Sequence, residues 1–186
     1  MTAKVGINSS ILLLATILSG VLFLFSCGRS PEKVPVSGPV DMMDDTLINY
    51  NKELVRNESQ EIADFIRRYR LTMKTSQTGL RYMIYKHGKG DTAEKGDFVT
   101  IKYSVHLLNG DVVFQTDSLE SFTFEIGRRK VPNGLEEGIM LMKPGEKAKL
   151  IVPSHLAYGL IGDLDKVPNR AILVYDVEIC VITRPN

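Results

Sequence analysis

Aromatic side chains recur between Tyr103 and Tyr175, and they are the residues of this sequence that could form a chemically useful site. One of them, Tyr158, lies between two small residues, Ala157 and Gly159. Aromatic rings supply apolar walls, and a tyrosine hydroxyl can donate one hydrogen bond from an otherwise apolar surface. Such a set can line an apolar pocket that acts by selective binding without a general acid, nucleophile or cofactor, or it can simply fill the core.

Metal and hydrolase chemistry have little support in the sequence. His87, His106 and His155 are widely separated and show no metal-ligand spacing. Ser154 and His155 are adjacent, but no orienting acid or nucleophile elbow accompanies them. We therefore predict no metal and no cofactor.

Charge patterning argues against a nucleic-acid interface. The 186 residues carry 23 Lys and Arg against 22 Asp and Glu, so no strong field of one sign attracts a polyanion. The densest basic run, Arg128-Arg129-Lys130, is interpreted as a solvated loop.

Short strands must position the aromatic residues. Apolar and polar residues alternate from Val99 to Leu107, which is the period of a half-buried strand. Asn109-Gly110 supplies a tight hairpin turn before the apolar run Val112-Val113-Phe114. The same alternation predicts strands over residues 148–152 and 173–181.

One short helix is predicted between these strands. Asn133 would cap it, Leu135, Ile139 and Met142 would share its apolar side, and Pro144-Gly145 would end it. The fold class is therefore α+β: an antiparallel twisted sheet wrapped on a short helix, preceded by an amphipathic helical segment.

The N-terminal residues predict export and a lipid anchor. Lys4 precedes an apolar run from Ile11 to Phe25, and this layout is typical of a signal peptide over residues 1–26. The tetrapeptide Leu24-Phe25-Ser26-Cys27 is similar to a bacterial lipobox, which predicts lipidation of Cys27. We expect an extracytoplasmic, lipid-anchored bacterial membrane protein.

Two details refine that expectation. Gly28, rather than an acidic residue, follows the cysteine and favours the outer membrane, with the domain facing the periplasm. An uncleaved signal anchor is the alternative, because the apolar run extended back to Val5 approaches the about 20 residues of a spanning helix.

A tether and a helical segment would connect the anchor to the domain. Residues 27–45 contain Pro31, Pro35 and Pro39 with few large apolar residues, which predicts a flexible tether. Residues 46–76 carry apolar side chains at helical spacing, and a capping pair at Asn57 and Gln60 would split this segment in two. Its apolar stripe would cover either the flank of the domain or, through residues 47–71, a second copy of the chain.

The remaining residues, 77–186, resemble the FKBP-type peptidyl-prolyl cis-trans isomerases. The resemblance runs from Thr78-Gly79-Leu80 to Ile182 and rests on several linked motifs in order: Ile101-Lys102-Tyr103, Phe122-Thr123-Phe124-Glu125-Ile126-Gly127, Gly134-Leu135-Glu136-Glu137-Gly138 and Ala157-Tyr158-Gly159. Together with the lipobox and helical segment, this arrangement is similar to the gliding-motility-associated lipoprotein isomerases.

The resemblance implies a pocket for proline-containing polypeptides, in which Tyr158 donates to a carbonyl of the ligand. It implies catalytic roles for Tyr103, Phe114, Phe122, Leu135, Tyr158 and Tyr175. It also implies substrate-binding roles for Phe124, Val131, Pro132, Val167 and Gln115. The expected activity assists the folding of exported proteins.

Such a pocket can accelerate isomerisation without ionising groups. An Xaa-Pro amide rotates over a barrier of about 20 kcal/mol because twisting destroys its resonance. The twisted amide is less polar than the planar one, so a dry apolar cavity favours it relative to water. Binding of flanking residues supplies the energy that holds the turn-like geometry.

The sequence departs from the family pattern at three positions. Gln115 replaces the acidic residue that commonly follows the wall phenylalanine, with Asp117 as a nearby substitute, and Leu135 replaces a frequent tryptophan. Pro132 has no backbone N–H to give to a ligand, so we expect weak macrolide binding. A catalytically weak chaperone or binding module, or a scaffold in an envelope complex, is therefore the alternative function.

Overall fold

The computed structural model describes residues 40–116 and 120–185, with side chains from residue 46 onward. The predicted signal peptide, Cys27 and residues 27–39 of the predicted tether lie outside the described residues, as does Asp117. No helix in the described part is long and apolar enough to cross a membrane.

The first described element is one long helix, α1 (Val40–Arg68). It differs from the prediction in three ways: it begins within the predicted tether, it ends before residue 76, and it runs unbroken through Asn57. The predicted cap at Gln60 does not form, because the Gln60 amide donates to Asp64 Oδ1 at 3.0 Å, one turn further along the helix. Arg67 and Arg68 lie in the last turn, where positive charge complements the helix dipole.

The C-terminal half of α1 covers one flank of the sheet. Ile62 is 1% exposed and contacts Ile151, Ile172 and Val174, with Phe65 and Ile66 beside it. Burial of such side chains stabilises the fold by about 1.5–3 kcal/mol each. This half of the apolar stripe therefore covers the domain's own flank, one of the two predicted alternatives.

Seven strands form one antiparallel sheet, as the alternating pattern predicts. They are β1 (Lys74–Thr75), β2 (Arg81–Lys86), β3 (Phe98–Leu107), β4 (Val112–Gln115), β5 (Phe122–Glu125), β6 (Lys147–Val152) and β7 (Leu173–Thr183). Their order is β1-β2-β6-β7-β3-β4, and β5 pairs with the first half of β3 while β4 pairs with its second half. The long central strands β3 and β7 carry more buried apolar side chains than the other described strands together.

A short helix, α2 (Asn133–Met140), lies against β6. Its two glycines allow a close approach, because an added β-carbon at Gly134 would overlap Val152 and one at Gly138 would overlap Leu150. The predicted cap by Asn133 is wrong: the N-cap residue is Pro132, and no side chain caps the helix. Proline fixes the entry geometry instead, and its carbonyl accepts the N–H groups of Leu135 and Glu136 at 3.0 and 3.1 Å.

Candidate active site

A cavity of about 120 Å³ opens between the sheet, the start of α2 and the chain that follows β6. Its walls are mostly aromatic or aliphatic, with one lysine at the edge. The lining residues are Tyr103, Val105, Phe114, Phe122, Lys130, Val131, Pro132, Leu135, Tyr158 and Tyr175.

Strand register places three of the walls side by side. Val105 on β3 pairs with Phe114 on β4 on one side and with Tyr175 on β7 on the other. Tyr103 lies two residues before Val105, so its side chain faces the same side of the sheet. The sheet therefore presents a continuous apolar surface to the cavity.

Ring contacts hold the outer walls in place. Tyr103 and Phe122 meet edge to face with centroids 6.2 Å apart, and Phe122 stacks on Phe124 at 5.8 Å. Phe114 lies 6.4 Å from Tyr158 in a tilted arrangement. Aromatic pairs at these distances stabilise one another by about 0.5–1.5 kcal/mol beyond the area they bury.

The first turn of α2 closes the inner end of the cavity. Leu135 is 2% exposed, and the residues just before the helix, Val131 and Pro132, form the neighbouring rim. The close approach of α2 to β6 at Gly134 and Gly138 fixes the depth of this end.

Tyr158 reaches the cavity from a tight turn. A short 3₁₀ helix, Ser154–Leu156, follows β6, and the carbonyl of Ser154 accepts the N–H groups of Ala157 and Gly159 at 3.0 and 2.8 Å. Gly159 has a φ of 67°, a left-handed conformation that glycine adopts without steric cost. The two residues flanking Tyr158 are therefore tied to a single carbonyl.

The tyrosines of the cavity are uncharged donors. Burial, followed by the nearby charge of Asp163 and by Tyr103, raises the pKa of Tyr158 above its ordinary value of 10.0. Burial also raises the pKa of Tyr103, and it raises the pKa of Tyr175 far more strongly. All three phenols keep their protons at neutral pH, so Tyr158 can donate a hydrogen bond to a carbonyl oxygen.

The structure brings most of the predicted site residues together. Eight of them line the cavity: Tyr103, Phe114, Phe122, Val131, Pro132, Leu135, Tyr158 and Tyr175. Phe124 and Val167 do not line it; both belong to the main core, at 4% and 3% exposure. Phe124 contacts the cavity wall through its stacking on Phe122.

Gln115 does not line the cavity either, which corrects its predicted substrate contact. Successive side chains of a strand face opposite sides, so the residue after Phe114 lies on the other face. There it borders a polar depression with Tyr85, Asp176 and Glu178, which shares Tyr103 with the cavity.

Two lining residues were not predicted. Val105 could have been found from the sequence, because it lies two residues after Tyr103 on the same strand. Lys130 belongs to the run interpreted as a solvated loop; it is exposed, yet it also borders the cavity. A second cation is close by, since Lys166 Nζ lies 5.9 Å from the ring centroid of Phe114.

The described residues contain no group of three or more His, Cys, Asp or Glu side chains that could hold a metal ion.

Comparison with known proteins agrees with this geometry. Residues 89–180 match the family described as FKBP-type peptidyl-prolyl cis-trans isomerase. A probable FKBP-type peptidyl-prolyl cis-trans isomerase of Neisseria meningitidis is 36% identical over 113 residues, which are 61% of this chain and 41% of that protein. FK506-binding protein 2 of Dictyostelium discoideum is 41% identical over 87 residues, 46% of this chain and 65% of that protein.

The fold is also found among solved structures. A peptidyl-prolyl cis-trans isomerase from Pseudomonas syringae pv. tomato superposes with a TM-score of 0.62 at 21% identity, over 72% of this chain and 96% of that chain. The chain therefore carries an FKBP-type peptidyl-prolyl cis-trans isomerase domain, with the predicted α+β fold. The matched part of this chain covers 41% of the length of the relative from Neisseria meningitidis and 44% of the length of a relative from Haemophilus influenzae.

Proposed function

We propose that this protein is a membrane-anchored peptidyl-prolyl cis-trans isomerase that assists the folding of exported proteins. The observation that carries the proposal is the aromatic cavity, which combines three neutral phenols with apolar walls. A proline ring enters this cavity, and the Tyr158 hydroxyl donates to a carbonyl of the substrate. Proline-containing polypeptides are accordingly the partners.

The mechanism follows from the polarity of the reacting amide. Rotation removes amide resonance, so the twisted amide carries less charge separation than the planar amide. Walls such as Phe114 and Leu135 exclude water and favour the less polar state, while the hydrogen bond from Tyr158 holds the substrate during rotation. Differential binding of this kind requires no proton transfer and no covalent intermediate.

Isomerisation rates on Xaa-Pro peptides test this function, with a soluble form of the chain that starts after Cys27. We expect acceleration above the uncatalysed rate, reduced about two- to tenfold by Tyr158→Phe, because a neutral hydrogen bond contributes about 0.5–1.5 kcal/mol. Phe114→Ala should cost more, since it opens a wall. Gln115→Ala is the matched control, because its side chain lies on the opposite face of β4.

A noncatalytic binding module is the second candidate. It is favoured by Pro132, which lines the rim but has no N–H to offer a ligand. Peptide binding without acceleration, with both cavity variants binding less tightly, would establish this candidate and reject the isomerase.

The lipid anchor is tested independently of catalysis. The position of Cys27, separated only by Ser26 from the apolar run Ile11 to Phe25, supports lipidation and an extracytoplasmic location. Expression of the full chain should give a membrane-bound species whose mass includes acyl chains, and Cys27→Ser should abolish the added mass. An unmodified Cys27 in the membrane fraction would favour the uncleaved anchor instead.

A further inference from the structure

A buried carboxylate from α1 lies behind the turn that carries Tyr158. Glu58 is 6% exposed, and its two oxygens both contact Ser154, which is 4% exposed. The Ser154 hydroxyl donates to Oε1 at 2.6 Å, and the Ser154 backbone N–H donates to Oε2 at 3.1 Å. Hydrogen bonds to a charged acceptor are among the stronger ones in proteins.

Ser154 connects this carboxylate to the cavity. While its N–H and hydroxyl donate to Glu58, its carbonyl accepts the N–H groups of Ala157 and Gly159. These are the two residues on either side of Tyr158. A short chain of hydrogen bonds therefore runs from α1 to the backbone that aims the Tyr158 hydroxyl.

Attachment of α1 does not rest on this carboxylate alone. Ile62 already fixes the helix to the sheet through an apolar cluster, and the guanidinium of Arg81 donates to Ser59 Oγ at 3.2 Å. Burial of a charged group costs free energy that an apolar side chain would avoid. A role beyond attachment explains why a glutamate occupies this position.

Packing alone does not hold the turn from this side. A cavity of about 110 Å³ borders Glu58, Pro153 and His155. Hydrogen bonds therefore contribute to holding the start of the turn: the two from Ser154 to Glu58, and one from His155 Nε2 to the carbonyl of Thr78 at 3.0 Å.

We propose that Glu58 is a positioning residue for Tyr158, acting through Ser154. The inference rests on the proposed isomerase function, and it assigns a part in that reaction to a residue outside the matched region 89–180. Loss of the carboxylate frees Ser154, loosens the turn over Ala157–Gly159 and misaligns the phenol against the substrate carbonyl.

A double-mutant cycle tests the inference through activity. Glu58→Gln keeps the size of the side chain but leaves an amide NH₂ where a second acceptor is needed. We expect kcat/KM to fall about two- to tenfold, no further than in Tyr158→Phe, because the effect passes through that hydroxyl. The double variant should be no slower than Tyr158→Phe alone, whereas multiplied losses would overturn the proposal.

Ser59→Ala is the matched control, because it removes the neighbouring contact to Arg81 and should leave kcat/KM unchanged. All variants are compared at a temperature where circular dichroism shows them folded. Glu58→Ala should lower kcat/KM more than Glu58→Gln does. Its combination with Tyr158→Phe should again be non-additive.

Amide hydrogen exchange gives a readout that does not depend on catalysis. In Glu58→Gln the amides of Ala157 and Gly159 should exchange faster, while amides in the centre of β3 keep their protection. Unchanged exchange at both amides would overturn the positioning role. If the wild-type chain shows no isomerase activity, the proposed function fails, and this exchange measurement still decides whether Glu58 orders the turn.

Discussion

At the scale of single residues, the cavity depends on phenols that stay neutral because they are buried. Tyr175 is the deepest of them, at 2% exposure, and burial raises its pKa more than that of Tyr103 or Tyr158. In the unfolded chain the same group ionises near its ordinary value of 10.0. Because the pKa of Tyr175 differs between the folded and unfolded states, the free energy of unfolding depends on pH in the alkaline range.

We predict that the free energy of unfolding falls as pH rises above 10 and that Tyr175→Phe reduces this fall. Below pH 10 both states keep the proton; above it the unfolded state binds fewer protons than the native state, so stability decreases with pH. One such group contributes a slope of at most about 1.4 kcal/mol per pH unit. Urea titrations at several pH values between 9 and 11 measure this slope.

The control for that measurement is Tyr50→Phe, since Tyr50 is 56% exposed on α1. It should leave the alkaline slope as in the wild type. An equal slope in wild type and Tyr175→Phe would contradict the link between burial of Tyr175 and alkaline stability.

Strand alternation accounts for the cavity residues on strands, whereas those predicted on loops and on α2 came only from the family resemblance. Tyr103, Phe114 and Tyr175 belong to alternating strands, where every second side chain shares a face. The same rule should have excluded Gln115, which a family pattern suggested and strand alternation contradicts. Lys130 lies in a loop, where no periodicity predicts the direction of a side chain. Only the three-dimensional course of the chain shows that it borders the cavity.

At the scale of elements, the depth of the cavity depends on how closely α2 approaches β6. Gly138 faces the side chain of Leu150, which is fully buried and has little room to move. Alanine is a better helix former than glycine by about 1 kcal/mol, so an exposed helix position would gain from the exchange. Here steric overlap opposes that gain.

We predict that Gly138→Ala destabilises the protein by about 1–3 kcal/mol, the usual cost of an overpacked core. Leu150→Ala opens space at the same contact, so Gly138→Ala should cost less in that background than in the wild type. Urea unfolding of the four chains gives the coupling free energy. Additive effects would show that the helix does not press on Leu150.

Element boundaries were harder to predict than element types. The helical period of α1 is clear, but nothing in residues 40–45 distinguishes a helical start from the end of a tether. The predicted break at Asn57 is absent, since the helix is continuous there and Gln60 bonds to Asp64 within it. Likewise Asn133 has the residue type of a cap, but the preceding proline already sets the backbone for helix entry.

At the scale of the whole molecule, the two halves of α1 have different surroundings. The C-terminal half is anchored by Ile62 and by Glu58, so its removal would expose the core. The N-terminal half leaves large apolar side chains about half exposed: Leu47, Ile48, Tyr50 and Val55. An exposed stripe of this kind on a helix is typical of an association surface.

We predict that the chain forms a homodimer through this stripe and that Leu47→Glu combined with Ile48→Glu weakens it. Burying a leucine or isoleucine contributes about 1.5–3 kcal/mol, so the pair should raise the dissociation constant roughly a hundredfold or more. Asn49→Glu adds one negative charge on the polar side of the helix, beside Lys52 and Arg56, and should leave the dimer intact. Light scattering over a concentration series measures the mass. Because these substitutions spare Ile62, a monomeric variant would reflect lost association rather than unfolding, and a monomeric wild type would contradict the predicted dimer.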